Sequence, residues 1–119
     1  MSNVSDHRAK AEHNEKLASQ LKGGPFFDWA VTVTFYAAVQ YIEAFFAKEK
    51  PPFHSLSHQK RDCEVARSPI LKPQWKNYRE LKNQSGLARY EAHVPFAQTD
   101  VDKASVRLNA IKALIIARL

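Results

Sequence analysis

Apolar residues recur along this chain at the spacing of helices, in five segments separated by proline, glycine or polar breaks. The first segment runs from about Asp6 to Lys22. Ala9, Ala11, Leu17, Ala18 and Leu21 form an intermittent apolar stripe among strong helix formers, and Gly23-Gly24-Pro25 stops it. The second segment, Pro25 to Glu49, is apolar on nearly every face: Phe26, Phe27, Trp29, Val31, Val33, Phe35, Tyr36, Val39, Tyr41, Ile42, Phe45 and Phe46. A helix of that kind belongs in the middle of a bundle. The β-branched run Val31 to Thr34 would suit a strand, but the segment far exceeds an ordinary strand, and Ala37, Ala38, Glu43 and Ala44 favour helix. Lys50-Pro51-Pro52 ends it.

Ser57 predicts the cap of a short helix, His58 to Arg67, closed by Ser68-Pro69. Lys72-Pro73 opens a fourth helix to about Ser85-Gly86, with Trp75, Tyr78 and Leu81 at i, i+3 and i+6 marking its core side. A separate short piece, Leu87 to His93, follows, and Pro95 pushes Val94 out of helical geometry. Thr99 or Asp100 then caps a last helix to the C-terminus, with Asp100 and Asp102 in its first turn. Val101, Ala104, Leu108, Ile111, Leu114 and Ile115 form its buried stripe. Ile116 and Leu119 leave apolar surface on a second side, a hint of self-association. The expected fold is all-α: an antiparallel bundle of four to five helices with a very hydrophobic central helix, one domain over residues 1–119.

Composition agrees, with 45% hydrophobic and 25% charged residues and only three glycines in 119. The single cysteine, Cys63, excludes an intrachain disulfide and reads as a half-buried thiol in a reducing cytoplasm. Met1 to Lys10 has no apolar run and is no secretory signal. Trp29 to Ala47 is nearly long enough to span a bilayer. It carries Thr32, Thr34, Gln40 and Glu43, so a buried helix is expected, with no membrane contact and a cytoplasmic location. The net charge of +6 is uneven: between Lys48 and Arg89 ten Lys/Arg stand against four Asp/Glu. A surplus concentrated in the middle third favours a polyanionic partner, RNA in particular.

No metal or other cofactor is expected. His54 and His58 are four apart, but the first lies in a loop, no carboxylate or cysteine follows at ligand spacing, and His7 and His13 add nothing closer. Gly23-Gly24 lacks the Lys-Ser/Thr of a phosphate loop. Arg89 and His93 are more informative. On a helix they would lie one turn apart on one face, a guanidinium to hold a phosphate and an imidazole to accept and return a proton. Those two roles serve RNA cleavage without metal. Trp75 and Tyr78 could stack on bases, but their spacing assigns them to the core. Gln40 and Glu43 on the buried segment need polar partners, and Arg89 is a candidate for Glu43.

His13-Asn14, Asp28-Trp29-Ala30-Val31, the run Phe35-Tyr36-Ala37-Ala38-Val39-Gln40-Tyr41-Ile42-Glu43-Ala44, Ser57-His58 with Arg61, and Tyr78, Leu81, Ser85 and Ala88-Arg89-Tyr90 together resemble small bacterial HEPN-domain proteins. The resemblance covers roughly residues 7 to 115. It implies a bundle of four to five helices, usually a homodimer. Many such proteins are metal-independent endoribonucleases acting as toxins or in phage defence, and others are inactive binding or scaffold modules. Active members carry an Arg, a polar residue, a few more residues and then His, with four to six positions between Arg and His. Two protomers pool these motifs in one cleft. Here Arg89 and His93 have three residues between them, and Tyr90 replaces the polar residue; Arg8 and His13 have the nominal spacing but lie in the first segment. The expected function is therefore an HEPN-like metal-independent endoribonuclease, Arg89 holding phosphate and His93 acting as acid or base, with His58, Arg61 and Tyr90 contacting RNA. The alternative is an inactive HEPN module that binds RNA, nucleotide or a protein partner, such as an antitoxin or a larger effector.

Overall fold

A computed structural model describes residues 2–119. It holds five α-helices, α1 (Val4–Lys22), α2 (Phe27–Lys48), α3 (His58–Arg67), α4 (Trp75–Tyr90) and α5 (Gln98–Ile116), with one 3₁₀ turn at Lys72–Gln74 leading into α4. No strand occurs among the described residues. The protein is an all-α bundle built around α2, which packs against α1, α4 and α5. Phe35, Tyr41 and Ile42 of α2 are fully enclosed, together with Tyr78 and Leu81 of α4 and Ile111 and Ile115 of α5. By length and composition α2 could cross a membrane, but 78% of its most apolar stretch is buried inside the protein.

Several boundaries differ from those read in the sequence. α1 begins before Asp6, because Asn3 caps it: Asp6 N–H donates to Asn3 Oδ1 (2.8 Å) and Asn3 N–H donates to Asp6 Oδ2 (3.0 Å). Asp100 likewise sits in the first turn of α5 and accepts Ala97 N–H (2.8 Å), so neither it nor Thr99 is the cap. α4 does not stop at Gly86. Glycine weakens a helix interior by about 1 kcal/mol relative to alanine, and the burial of Leu81 and Ser85 on the core side holds the helix through to Tyr90. The stretch Leu87 to His93 is thus no separate piece.

Ile116 and Leu119 are half-buried against the core and present no second apolar side. Lys48 Nζ, at the end of α2, donates to the carbonyls of Arg118 and Leu119. The exposed large apolar residue of α5 is Val106. Cys63 faces solvent and is not half-buried. A polar stitch joins three helices on the far side of the bundle: Glu15 of α1 accepts from the Tyr41 hydroxyl through Oε1 and from Lys112 Nζ (3.1 Å) through Oε2.

Candidate functional site

Glu43 fixes the seat of α3. It is buried on α2, so its carboxylate needs partners. Arg61 of α3 supplies one, donating Nε–H to Oε1 at 3.1 Å, and Ser55 in the preceding loop donates to the same oxygen. Both ionic side chains are buried, 11% and 8% exposed. The partner of Glu43 is therefore Arg61, not Arg89. The loop between α2 and α3 brings Ser55 and, in the first turn of α3, Arg61 to the same Glu43 oxygen.

From this buried pair the polar network runs outward. Arg61 Nη1 donates to His58 Nδ1 at 3.1 Å, which assigns the other ring nitrogen, Nε2, as the protonated one in the neutral ring. His58 is exposed, although its ring lies over Phe35 with centroids 6.4 Å apart. Its pKa is held below the ordinary imidazole value, first by loss of hydration against the core and then by repulsion from Arg61, Lys82 and Arg89. On α4, Tyr78 is enclosed in the core, and its hydroxyl donates to Asp62 Oδ1 at 2.7 Å. Burial and the nearby carboxylate push that phenol up. Lys82 pairs with the other oxygen of Asp62.

Arg89 completes the group. It points back along α4 to the Ser85 carbonyl (Nε, 3.2 Å) and donates Nη1–H to the Tyr36 hydroxyl at 2.7 Å. Its guanidinium carbon stands 5.5 Å from the Tyr36 ring centre and 4.9 Å from that of Tyr90. Unlike Arg61 and Lys82, it has no carboxylate partner among the described residues. Tyr90 is 75% exposed. Beside them lies an open groove of about 490 Å³ lined by Lys82, Asn83, Gly86, Arg89 and Tyr90.

The two residues read as a catalytic pair do not share a helix. α4 ends at Tyr90, and His93 lies in the turn beyond, 81% exposed and 3.8 Å from Glu91. Of the three residues read as RNA contacts, His58 and Tyr90 reach the surface, whereas Arg61 is turned inward. Sequence reading missed Lys82 and Tyr36 as members of this group; the i, i+4 spacing of Ser85 and Arg89 and of Tyr78 and Lys82 was the available signal. It also missed a second convergence, in which His7 of α1 and His54 of the loop after α2 come together beside Glu43. Comparison with family models, with curated proteins and with solved structures gave no match to this chain.

Proposed function

We propose that this chain is an HEPN-like module that binds single-stranded RNA through its α3–α4 face. The observation that carries this reading is Arg89. Its guanidinium is half-buried, oriented by three hydrogen bonds, flanked by two tyrosine rings, and lacks a carboxylate counter-ion. Such a group suits a phosphodiester, and the exposed Tyr90 ring beside it offers a surface on which a base can stack. His58 adds an Nε2–H donor, and the groove over Gly86 has room for a strand.

A second reading, metal-independent cleavage of the same RNA, is favoured by one observation. The exposed imidazole of His58 stands 3.1 Å from Arg61, and burial together with Arg61, Lys82 and Arg89 holds its pKa below the ordinary value. Cleavage would need Nδ1, released by Arg61, to take the ribose 2′-OH proton; the 2′-oxygen would bond to phosphorus and the 5′-oxygen of the next nucleotide would leave, taking up a proton from water, while Arg89 steadies the phosphate. The toxin or defence role and a homodimer that pools two such faces belong to the same proposal.

The test is a gel experiment with labelled single-stranded RNA in excess EDTA, using wild type, Arg89→Ala, His58→Ala and His93→Ala. A shift without cleavage, weakened by Arg89→Ala, is the expected result. Cleavage to a 2′,3′-cyclic phosphate that His58→Ala or His93→Ala abolishes would replace binding with the nuclease reading. Neither shift nor cleavage from folded protein would remove both.

A further inference from the structure

We infer that His7, Glu43 and His54 form a binding site for a divalent transition-metal ion of the zinc type. One donor atom from each lies within 4.8 Å of the other two, although the residues come from α1, α2 and the loop after α2. Three protein ligands of the kinds N, N and O, with a fourth position for water, are the usual set of an open zinc site. Magnesium and calcium prefer all-oxygen sets, so two imidazoles select against them.

The orientation of His7 is the independent observation. Its Nδ1 donates to Gln40 Oε1 at 2.8 Å, which leaves the lone pair on Nε2. That Nε2 is the one buried side-chain nitrogen or oxygen among the described residues with no hydrogen-bond partner. A buried ring nitrogen without a partner costs free energy unless something occupies it. A metal-bound histidine has this form: one nitrogen tied to an outer acceptor, the other presented to the ion. Gln40 lies one turn before Glu43 on α2, so one helix supplies both a ligand and the group that orients its neighbour.

Glu43 is prepared in the same way. Arg61 and Ser55 both bind Oε1, so neither of them takes Oε2. Hydrogen-bonded carboxylates are normal metal ligands, and Arg61 balances the charge that would otherwise accumulate when no ion is bound. The His54 ring lies 6.1 Å from that of His7, centroid to centroid, and has no hydrogen bond of its own among the described residues. Its position in the loop allows the small adjustment that bonds of about 2.0–2.2 Å require. Bound metal would tie α1 and this loop to the central helix.

The test is titration of chelator-stripped full-length protein with Co²⁺, followed by competition with Zn²⁺ and with Mg²⁺. One equivalent of Co²⁺ should give the intense visible bands of a four-coordinate ion, and Zn²⁺ but not Mg²⁺ should displace it. His7→Ala and His54→Ala should each weaken binding by more than the roughly 10–100-fold lost with an outer-shell partner. His13→Ala, on the exposed side of α1, should bind as wild type does. Glu43→Gln should abolish binding, and if it fails to fold, the two histidine variants carry the test. Absence of Co²⁺ bands in folded wild type would overturn the site and leave a buried water as the partner of His7. Equal binding by wild type and both histidine variants would overturn it too. Because the RNA experiment is run in EDTA, the failure of either proposal leaves the other standing.

Discussion

At the scale of single residues, Tyr78 and His58 show how one wall of the bundle serves two purposes. Tyr78 is fully buried, stacked on Trp75 with ring centres 5.8 Å apart, and its hydroxyl reaches Asp62. Tyr78→Phe keeps the ring and deletes one hydrogen bond to a carboxylate that Lys82 still holds. It should lower stability by about 1–2 kcal/mol, read by urea unfolding, with little change in denaturant slope. A loss too small to detect would show that the hydroxyl bond adds nothing. His58 governs pH dependence instead. Its folded pKa lies below the unfolded value of 6.5, so between those two values the folded chain holds fewer protons. Its contribution is complete above about pH 6.5 and is lost as pH falls through the folded pKa. The thermal midpoint should therefore drop on acidification below pH 6.5, and His58→Gln should flatten that part of the curve. Parallel curves for the two proteins would contradict the assignment.

Helices and their joints are where the sequence was most and least legible. The bounds of α3 could be read directly, because Ser57 caps its first turn (Lys60 N–H to Oγ, 3.1 Å) and Ser68-Pro69 closes it. α4 could not, since a glycine at negative φ inside a helix gives the same local signal as one that ends it. The same position yields a prediction. A Cβ at Gly86 would meet no atom within 4 Å, so Gly86→Ala should stabilise the protein by about 0.5–1 kcal/mol. A destabilising result would mean that α4 is distorted there. The partner of Glu43 was illegible for a different reason. α2 is apolar nearly all round, and its pattern does not say which neighbour covers which face. His7 and His54 were similarly hidden, because sequence distance carries no information about convergence across three elements. The α2–α3 joint itself rests on the Glu43–Arg61 pair. Arg61→Ala leaves a buried carboxylate without its cation and should cost about 3–5 kcal/mol, whereas the double replacement Glu43→Leu with Arg61→Met should recover most of it. Equal losses in the single and double variants would show that the pair does not act as a unit.

For the molecule as a whole, the uneven charge of the chain becomes a division of labour in space. On one side of α2, α1 and α5 are joined by the Glu15–Tyr41–Lys112 stitch and by Lys22 with Asp102 (3.2 Å), so opposite charges pair between these two helices. The basic surplus lies in α3, α4 and the segments around them, where Arg61 and Lys82 are neutralised by Glu43 and Asp62 but Arg89 is not. Net charge alone would attract any polyanion by a diffuse field; under the proposed RNA binding, one oriented, unpaired guanidinium would make a localised contact. Salt titration separates these two causes. Each phosphate contact on a single strand contributes about −0.7 to the slope of log affinity against log salt. Arg89→Ala should weaken RNA binding and reduce the slope by close to that amount, because a single defined contact is lost. Lys76→Ala, which removes an exposed charge on the same helix, should leave the slope nearly unchanged. If both substitutions lowered affinity equally and alike across salt concentrations, the attraction would be a property of total charge, and the geometry around Arg89 would have no part in it.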